Sequence, residues 1–173
     1  EAYTSGEKDF SALISKLKEA KIDVIYLGGY HNDAGLIVRQ SREQGLQANL
    51  VGGDALNSGE FWTISGPAGE NTRFSDASSA VNLPAAKEVV EKFRSQQYEP
   101  EGYTLSSYAA VQAWAAAVTA LNDTDDHKVA DYFRSHSIET VMGNLSWDEK
   151  GDIKNPSYAW YIWSNGKFSQ ETK

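Results

Sequence analysis

Helical and strand patterns alternate through the first half of the chain, and this alternation is the feature that most restricts its fold. Apolar residues at helical spacing occupy 10–17, and an apolar run of β-branched and aromatic residues at 22–27 is too short for a helix. Gly28-Gly29 ends that run, and Gly52-Gly53 ends a second short strand at 49–51. Elements joined by such short loops predict an α/β fold around a parallel sheet, and we expect the strand at 22–27 to be buried on both faces.

Capping residues predict where several helices begin and end. Asn32 or Asp33 can cap the helix between the first two strands, and Gly45 stands where such a helix closes. Asp125 or Asp126 can cap a later helix in the same way.

The second half of the chain has a different pattern. After a third predicted strand at 72–75, the small and polar residues 76–82 indicate a linker. Residues 103–121 are small or apolar on several faces, which predicts a long and deeply buried helix. The tail then changes to strand patterns, at 144–147 and 158–163.

Aromatic residues are frequent in the last strand pattern. Strand alternation places Tyr158, Trp160 and Ile162 on one face, and Tyr161 and Trp163 on the other. A platform for sugars or bases is one interpretation of such a set. Core and cross-strand packing is the commoner role of clustered aromatic residues, and we adopt it.

Composition excludes several kinds of partner and chemistry. The formal net charge of −8 disfavours nucleic acid and anionic membranes as partners. The chain has no cysteine, which excludes disulfides, thiolate zinc sites and a cysteine nucleophile within it. No apolar stretch approaches the ~20 residues of a membrane-spanning helix. The start at Glu1, without a signal-peptide pattern, is expected to be a processed, cleaved or engineered end.

Three side chains with binding chemistry follow the two strands that end in glycine pairs. Tyr30 and His31 come directly after the first pair, and Asp54 comes directly after the second. Ligands of parallel α/β sheets sit beyond the carboxyl ends of the strands, where glycines allow close approach. A carboxylate beside aromatic groups suits an ammonium ligand. The alternative is plain turn chemistry, with Asp54 as a helix cap and His31 as a surface residue.

Catalytic, nucleotide-binding and metal-binding interpretations lack their usual patterns. His31, Asp54 and Ser58 suggest a hydrolase triad, but the sequence has no Gly-x-Ser-x-Gly elbow. Neither the P-loop nor the dinucleotide fingerprint occurs. The three histidines have no metal-ligand spacing, and residues 148–152 lack the order of a calcium loop and predict a β-turn. We therefore expect no enzyme activity, no cofactor and no metal.

Five stretches of the sequence resemble one known family. They read GEKDFSALI at 6–14, YLGGY at 26–30, GLIVRQ at 35–40, YAAVQA at 108–113 and WDEKGD at 147–152. In this order they are similar to the branched-chain amino-acid-binding proteins of bacterial ABC transporters, which are type I periplasmic binding proteins. The resemblance covers essentially the whole chain, but family members are much longer, and the chain resembles their C-terminal half.

The resemblance implies a fold and a division of the chain. Family members have two α/β lobes joined by three crossover strands, and the ligand is closed between the lobes. Residues 1–81 would form a three-layer parallel-sheet domain of the second lobe. Residues 82–157 would be helices and a hairpin of the first lobe, and residues 158–173 a crossover strand returning to the second. The first lobe's own sheet would be missing, so the helix at 103–121 would expose an apolar patch that needs the missing N-terminal half.

The resemblance also implies a function. The chain would belong to a solute-binding protein of the periplasm, similar to leucine-binding proteins, that captures a small amino acid and delivers it to the membrane permease of an ABC transporter. A ligand-sensing domain or an engineered amino-acid biosensor on the same fold is the alternative, and a hydrolase is a third interpretation.

The family's binding residues can be carried over one position at a time. Asp54 would hold the ligand's amino group, Tyr30 and His31 would pack on the ligand, and Tyr103, near the hinge, would reach the pocket. Many relatives have Tyr at the position of His31 and Glu at that of Asp54. The shorter acid would set the ammonium further back, which suits a longer or secondary amine such as γ-aminobutyrate or proline. Branched-chain and other aliphatic amino acids stay candidates because of the resemblance. Groups that hold the ligand's carboxylate would lie in the missing lobe.

Overall fold

The computed structural model describes residues 1–171 and divides the chain into two compact units. Unit 1 consists of Glu1–Ala77 and the chain from Tyr158 onward, and unit 2 is Ser78–Ser157. The first transition between the units lies four residues before the predicted boundary at 81, inside the segment 76–82 that the sequence indicates as a linker. Residues 172 and 173 of the predicted crossover strand lie outside the described residues.

Helices and strands alternate through the first part of unit 1, as predicted, and helices dominate unit 2. In chain order the elements are α1 (Ser11–Glu19), β1 (Val24–Leu27), α2 (His31–Glu43), β2 (Asn49–Gly52), α3 (Gly59–Ser65), β3 (Arg73–Ala77), α4 (Lys87–Ser95), α5 (Thr104–Leu121), α6 (Asp126–Ser135), β4 (Ile138–Thr140), β5 (Gly143–Leu145), β6 (Tyr158–Ser164) and β7 (Lys167–Gln170). Short 3₁₀ turns lie at Asp54–Leu56, Gly66–Gly69 and Pro84–Ala86.

Unit 1 is built around a five-stranded sheet in the order β1-β2-β3-β6-β7. The first three strands are parallel, and β6 and β7 add to them as antiparallel neighbours. The α/β class predicted from the alternation is therefore confirmed, with a sheet that is mixed rather than purely parallel.

One face of this sheet carries the core of unit 1. Helices α1, α2 and α3 pack there, and buried and exposed side chains alternate along β1. Ile25 and Leu27 are buried, whereas Val24 and Tyr26 lie on the opposite face, where Tyr26 is 73% exposed. The prediction of burial on both faces of 22–27 is wrong for the described chain, because its helices cover one face only. The described residues of unit 1 thus form two of the three layers that the resemblance implies.

The start of α2 also differs from the prediction. The helix begins at His31, and Tyr30 precedes it in an extended conformation without a side-chain cap. Asp33 is instead buried, and its carboxylate accepts hydrogen bonds from the Ser5 hydroxyl at 2.8 Å and the Gly6 N–H at 3.0 Å. Asp33 therefore fastens the N-terminal segment to α2 rather than capping the helix.

Three local predictions, of a helix end, a helix cap and a turn, are confirmed. Gly45, at φ +78°, follows the end of α2 in the left-handed conformation that favours glycine. Asp125 caps α6, and its carboxylate accepts from the Lys128 N–H at 3.0 Å. Asp148 and Gly151 close the predicted turn, with the Gly151 N–H 3.1 Å from the Asp148 carbonyl oxygen. Within residues 1–171, no group of three His, Asp or Glu side chains could hold a metal ion.

Unit 2 has a smaller core, and α5 is its longest element. The buried stripe of α5 consists of Leu105 and three alanines, whereas Trp114 is exposed and Val111 is 66% exposed. The prediction of deep burial is therefore wrong for the described chain, since unit 2 has nothing that covers the second face of this helix. An apolar surface is left open there, as the resemblance implies. None of the described helices combines the length and apolar character needed to cross a membrane.

The aromatic tail divides between the two faces of the unit 1 sheet, as strand alternation predicts. Tyr161 and Trp163 are buried in the core, where Tyr161 stacks on Phe74 with 5.2 Å between ring centroids. Tyr158 and Trp160 lie on the uncovered face and are exposed. The packing interpretation is therefore confirmed for the buried pair, and the exposed pair adds to an open apolar face.

Candidate functional site

The carboxyl ends of β1 and β2 form one edge of the unit 1 sheet. The two strands are parallel neighbours, with Leu27 opposite Gly52. Tyr30 and His31 follow β1 at the start of α2, and Asp54 follows β2 at the start of the next 3₁₀ turn. The fold thus places three of the four predicted binding residues at one edge of one sheet.

The paired glycines before these residues are of two kinds. A Cβ atom at Gly29 would overlap the Tyr3 hydroxyl, and a Cβ at Gly52 would stand 2.7 Å from a side-chain carbon of Leu56, so a larger residue at either position would displace a packed neighbour. Gly28 and Gly53 have open space where a Cβ would be. One glycine of each pair therefore serves the fold, and the other leaves the backbone at this edge open to close approach.

Tyr30 and His31 present different chemistry at the edge. Tyr30 is 67% exposed, so its ring offers an apolar surface to a ligand. The half-buried His31 ring has its Nε2 atom 2.8 Å from Oε2 of Glu60, in the first turn of α3. This contact is a hydrogen bond when the imidazole is neutral and an ion pair when it is protonated. The histidine is thereby tied to the neighbouring helix, which fixes the direction of its ring.

Ser58 has a structural role next to this edge. Its hydroxyl accepts from the Glu60 N–H at 3.3 Å and caps α3. A hydrolase with Ser58 as nucleophile would need a hydrogen bond between its hydroxyl and the His31 ring, but among the described residues His31 contacts Glu60 and the Ser58 hydroxyl contacts the Glu60 N–H. The geometry therefore opposes the hydrolase interpretation.

Asp54 places an exposed carboxylate at the start of the turn after β2. Gly53, not Asp54, holds the residue position before the turn, which is where a capping residue stands. The charge of Asp54 reaches a second carboxyl group at this edge, that of Asp76. Burial raises the pKa of Asp76, hydrogen bonds from Asn57 and Ala77 lower it, and the charge of Asp54 raises it further, with a net increase. The edge therefore has a negative potential that suits a cationic group.

Glu60 and Asp76 lie outside the sequence prediction of the site. Glu60 follows a capping serine and reads as a first-turn acid of a helix, so nothing in the sequence indicates its contact with His31. Asp76 falls in the segment 76–82 that resembles a linker, whereas β3 runs to Ala77. The position of Asp76 could have indicated it, because an acid stands just after the third strand pattern, as Asp54 stands just after the second.

Tyr103, the fourth predicted binding residue, belongs to unit 2. It directly precedes α5, and its side chain is exposed. The geometry of the edge in unit 1 does not include it, and its contact with a ligand stays a prediction.

Comparison with known proteins identifies the family. A family model described as periplasmic binding protein matches residues 1–167. The Leu/Ile/Val-binding protein homolog 1 of Brucella suis is 48% identical over 167 residues, which is 96% of this chain and 45% of the relative. The chain spans about half the length of the curated relatives it matches.

Solved structures agree with the sequence comparison. A leucine-binding protein from Thermotoga maritima superposes with a TM-score of 0.88 at 28% identity, covering 98% of this chain and 49% of that one. A branched-chain amino acid transporter substrate-binding protein from Streptococcus pneumoniae, solved with isoleucine, gives a TM-score of 0.83 at 27% identity with the same coverage. These relatives are solute-binding proteins, not enzymes. On this basis the chain belongs to the periplasmic binding proteins, within the substrate-binding family of branched-chain amino acid ABC transporters.

Proposed function

We propose that this chain is part of a two-lobed protein that captures a small amino acid between its lobes and delivers it to the membrane permease of an ABC transporter. In this proposal the protein works in the periplasm, unit 1 is most of one lobe, and unit 2 is a returned piece of the other. Asp54 binds the ligand's ammonium group, and Tyr30 and His31 pack against the ligand, with Tyr103 contributing from unit 2.

The observation that carries the proposal is the juxtaposition of Asp54 and Tyr30 at the carboxyl edge of β1 and β2. An ionised carboxylate and an ammonium form a charge-assisted hydrogen bond, which is stronger than a neutral one. An aromatic face beside the same ammonium adds cation–π attraction. Closure of a second lobe would exclude water from this pair and strengthen it further.

Branched-chain amino acids are the first choice of ligand. The curated relatives include proteins named for leucine, isoleucine and valine binding, and the Streptococcus pneumoniae relative was solved with isoleucine. Open backbone at Gly28 and Gly53 and the ring of Tyr30 suit an amino acid whose side chain is apolar. The short acid at Asp54 keeps γ-aminobutyrate and proline as further candidates for the same site.

The test is calorimetric titration of the complete two-lobed protein with leucine, isoleucine, valine, proline and γ-aminobutyrate. Asp54→Ala should abolish measurable binding, because removal of one partner from a buried charged pair costs roughly 2–5 kcal/mol. Glu91→Ala, at an exposed position of α4, is the matched control and should bind as the unmodified protein does. An Asp54→Ala protein that binds with unchanged affinity would refute the site.

The rest of the same polypeptide is the partner that we propose for the open surfaces. Val24 and Tyr26 leave an apolar sheet face uncovered, and β1 is an edge strand with no neighbour on its outer side in the described chain. α1 packs on the same face as α2, so a right-handed connection would place the strand that precedes α1 beyond β1. A strand at that edge and a helix on the open face would complete the lobe.

A further inference from the structure

Asp54 and Asp76 occupy equivalent positions on neighbouring strands. Gly52 of β2 lies opposite Phe74 of β3 in the parallel register, and each acid comes two residues after its member of that pair. Parallel strands bring equivalent positions to the same edge of the sheet. Asp76 therefore belongs to the edge that carries Asp54, although its side chain is half-buried and that of Asp54 is exposed.

Asn57 connects the two acids. Its side-chain Nδ2 donates to Oδ2 of Asp76 at 2.5 Å, and its backbone N–H donates to the carbonyl oxygen of Asp54 at 2.9 Å. Asn57 directly follows the 3₁₀ turn that Asp54 begins. The side-chain bond thus attaches the exit of this turn to β3, and the backbone bond closes the turn on Asp54.

The surroundings of Asn57 make the Asp76 contact important for its orientation. The Oδ1 atom of Asn57 is buried and finds no hydrogen-bond partner among the described residues. The contact made through Nδ2 is therefore what opposes rotation of the amide. A second attachment of the same turn comes from β6, because the indole N–H of Trp163 donates to the Leu56 carbonyl oxygen at 3.1 Å.

We propose that Asp76 is a positioning residue for ligand binding: through Asn57 it holds the turn that presents Asp54 to the ligand's ammonium group. This inference rests on the proposed function, in which Asp54 binds that group. The side-chain Nδ2 of Asn57 donates to residue 76, so the essential feature at that position is a hydrogen-bond acceptor. Asp76 itself need not touch the ligand.

Binding by the complete protein tests the inference through four variants titrated with the amino acid that the unmodified protein binds. Asp76→Ala and Asn57→Ala should each weaken binding by about tenfold, and the double variant should be no weaker than either, because residues of one network are not additive. Asp76→Asn keeps an acceptor and should remain within about threefold of the unmodified protein. Equal losses of affinity in Asp76→Ala and Asp76→Asn would overturn the inference. So would a loss of affinity in the double variant that equals the sum of the two single losses.

Amide hydrogen exchange of the same variants without ligand separates this inference from the proposed function. The backbone N–H of Asn57, which donates to Asp54, should exchange faster in Asp76→Ala than in the unmodified protein. In Asp76→Asn it should exchange at the unmodified rate. Unchanged exchange in Asp76→Ala would overturn the positioning role even if amino acids bind. Failure of the unmodified protein to bind any amino acid, with exchange changed as expected, would overturn the proposed function and with it the link from this turn to binding.

Discussion

The two units bury apolar surface in different ways. Large side chains fill the core of unit 1, where Phe61, Phe74 and Trp163 are almost fully enclosed. The buried apolar residues of unit 2 are alanines and a few aliphatic residues, namely Ala80, Ala86, Val90, Leu105, Ala109, Ala113, Ala117, Val129, Ile138 and Val141. A buried Phe or Leu contributes roughly 1.5–3 kcal/mol, and alanine contributes far less. Unit 1 should therefore be close to self-sufficient, whereas unit 2 should depend more on a surface supplied from outside it.

Core truncation in each unit is the strongest way to break this comparison. Phe74→Ala should destabilise unit 1 by about 3–5 kcal/mol, because Phe74 stacks on Tyr161 and meets Phe168 edge-on. Leu105→Ala should cost about 2–5 kcal/mol in unit 2. We expect unit 1 to stay folded at 25 °C with Phe74→Ala and unit 2 to unfold with Leu105→Ala. The reason is that the smaller core of unit 2 gives it a smaller free energy of unfolding. Amide exchange followed separately in each unit measures this.

The same exchange experiment contains its control. Val111→Ala, on the exposed side of α5, removes apolar atoms from unit 2 without touching the buried stripe and should leave its protection unchanged. If unit 2 keeps its protection after Leu105→Ala while unit 1 loses its own after Phe74→Ala, the order of stability inferred from the cores is reversed.

The sequence predicted unit 1 better than unit 2, and the reason is physical. Strand and helix periodicities depend on interactions within one element and its nearest neighbours, and so do the glycines that end the strands. The order of elements around β1 and β2 could therefore be predicted. Which face of an element is covered depends on what packs there. The burial of 22–27 and of 103–121 was therefore predicted incorrectly, because both patterns describe surfaces that the described chain does not cover.

The candidate site was predictable only where it follows strand ends. Tyr30, His31 and Asp54 come directly after glycine-ended strands, and the parallel register brings them to one edge. The contact of His31 with Glu60 joins two helices, so no local pattern indicates it. The bond between Asn57 and Asp76 likewise depends on the register of β2 with β3, which only the fold supplies.

The open faces allow a test with an intermediate effect. The double substitution Val111→Ser with Trp114→Ser should reduce self-association of this chain in sedimentation velocity, because it removes exposed apolar surface from α5. The same pair should lower the Tm of the complete protein, where we expect that surface to be covered. Tyr26→Ser with Trp160→Ser makes the corresponding change on the sheet face of unit 1.

Thr119→Ser is the matched control for these variants, since it changes an exposed and already polar position of α5. It should alter neither the sedimentation of this chain nor the Tm of the complete protein. A Tm of the complete protein that is unaffected by both double substitutions would mean that the rest of the polypeptide covers neither face.

The smallest expected effect concerns two kinds of carboxyl group, whose pKa values are shifted in opposite directions. Hydrogen bonds lower the pKa of the first kind: those from Lys128 and Arg94 act on Asp123 and Glu99 in unit 2, and those from Ser164 and Asn165 act on Glu70 in unit 1. Their contributions are present above the ordinary pKa of each acid and are lost as the pH falls through the lowered value. In unit 1, the half-buried Asp76 has a raised pKa, with burial as the main cause. The folded state then holds a proton more tightly than the unfolded state, so stability falls as the pH rises through the raised pKa.

Asp76→Asn should therefore raise the Tm of the ligand-free protein slightly at pH 7, because it removes a partly buried charge beside Asp54 and keeps an acceptor for Asn57. The difference should fade as the pH falls through the raised pKa of Asp76, since the unmodified carboxyl group is then neutral as well. Thermal unfolding from pH 3 to pH 8 measures this, with Asp23→Asn as a control at an exposed acid of unit 1. A larger increase in Tm at acid pH than at neutral pH would mean that the pKa of Asp76 affects stability in the opposite direction. Asp76 would then act as an ordinary stabilising carboxylate, like Asp123 in unit 2, and the contrast between the two kinds of carboxyl group would vanish at this site.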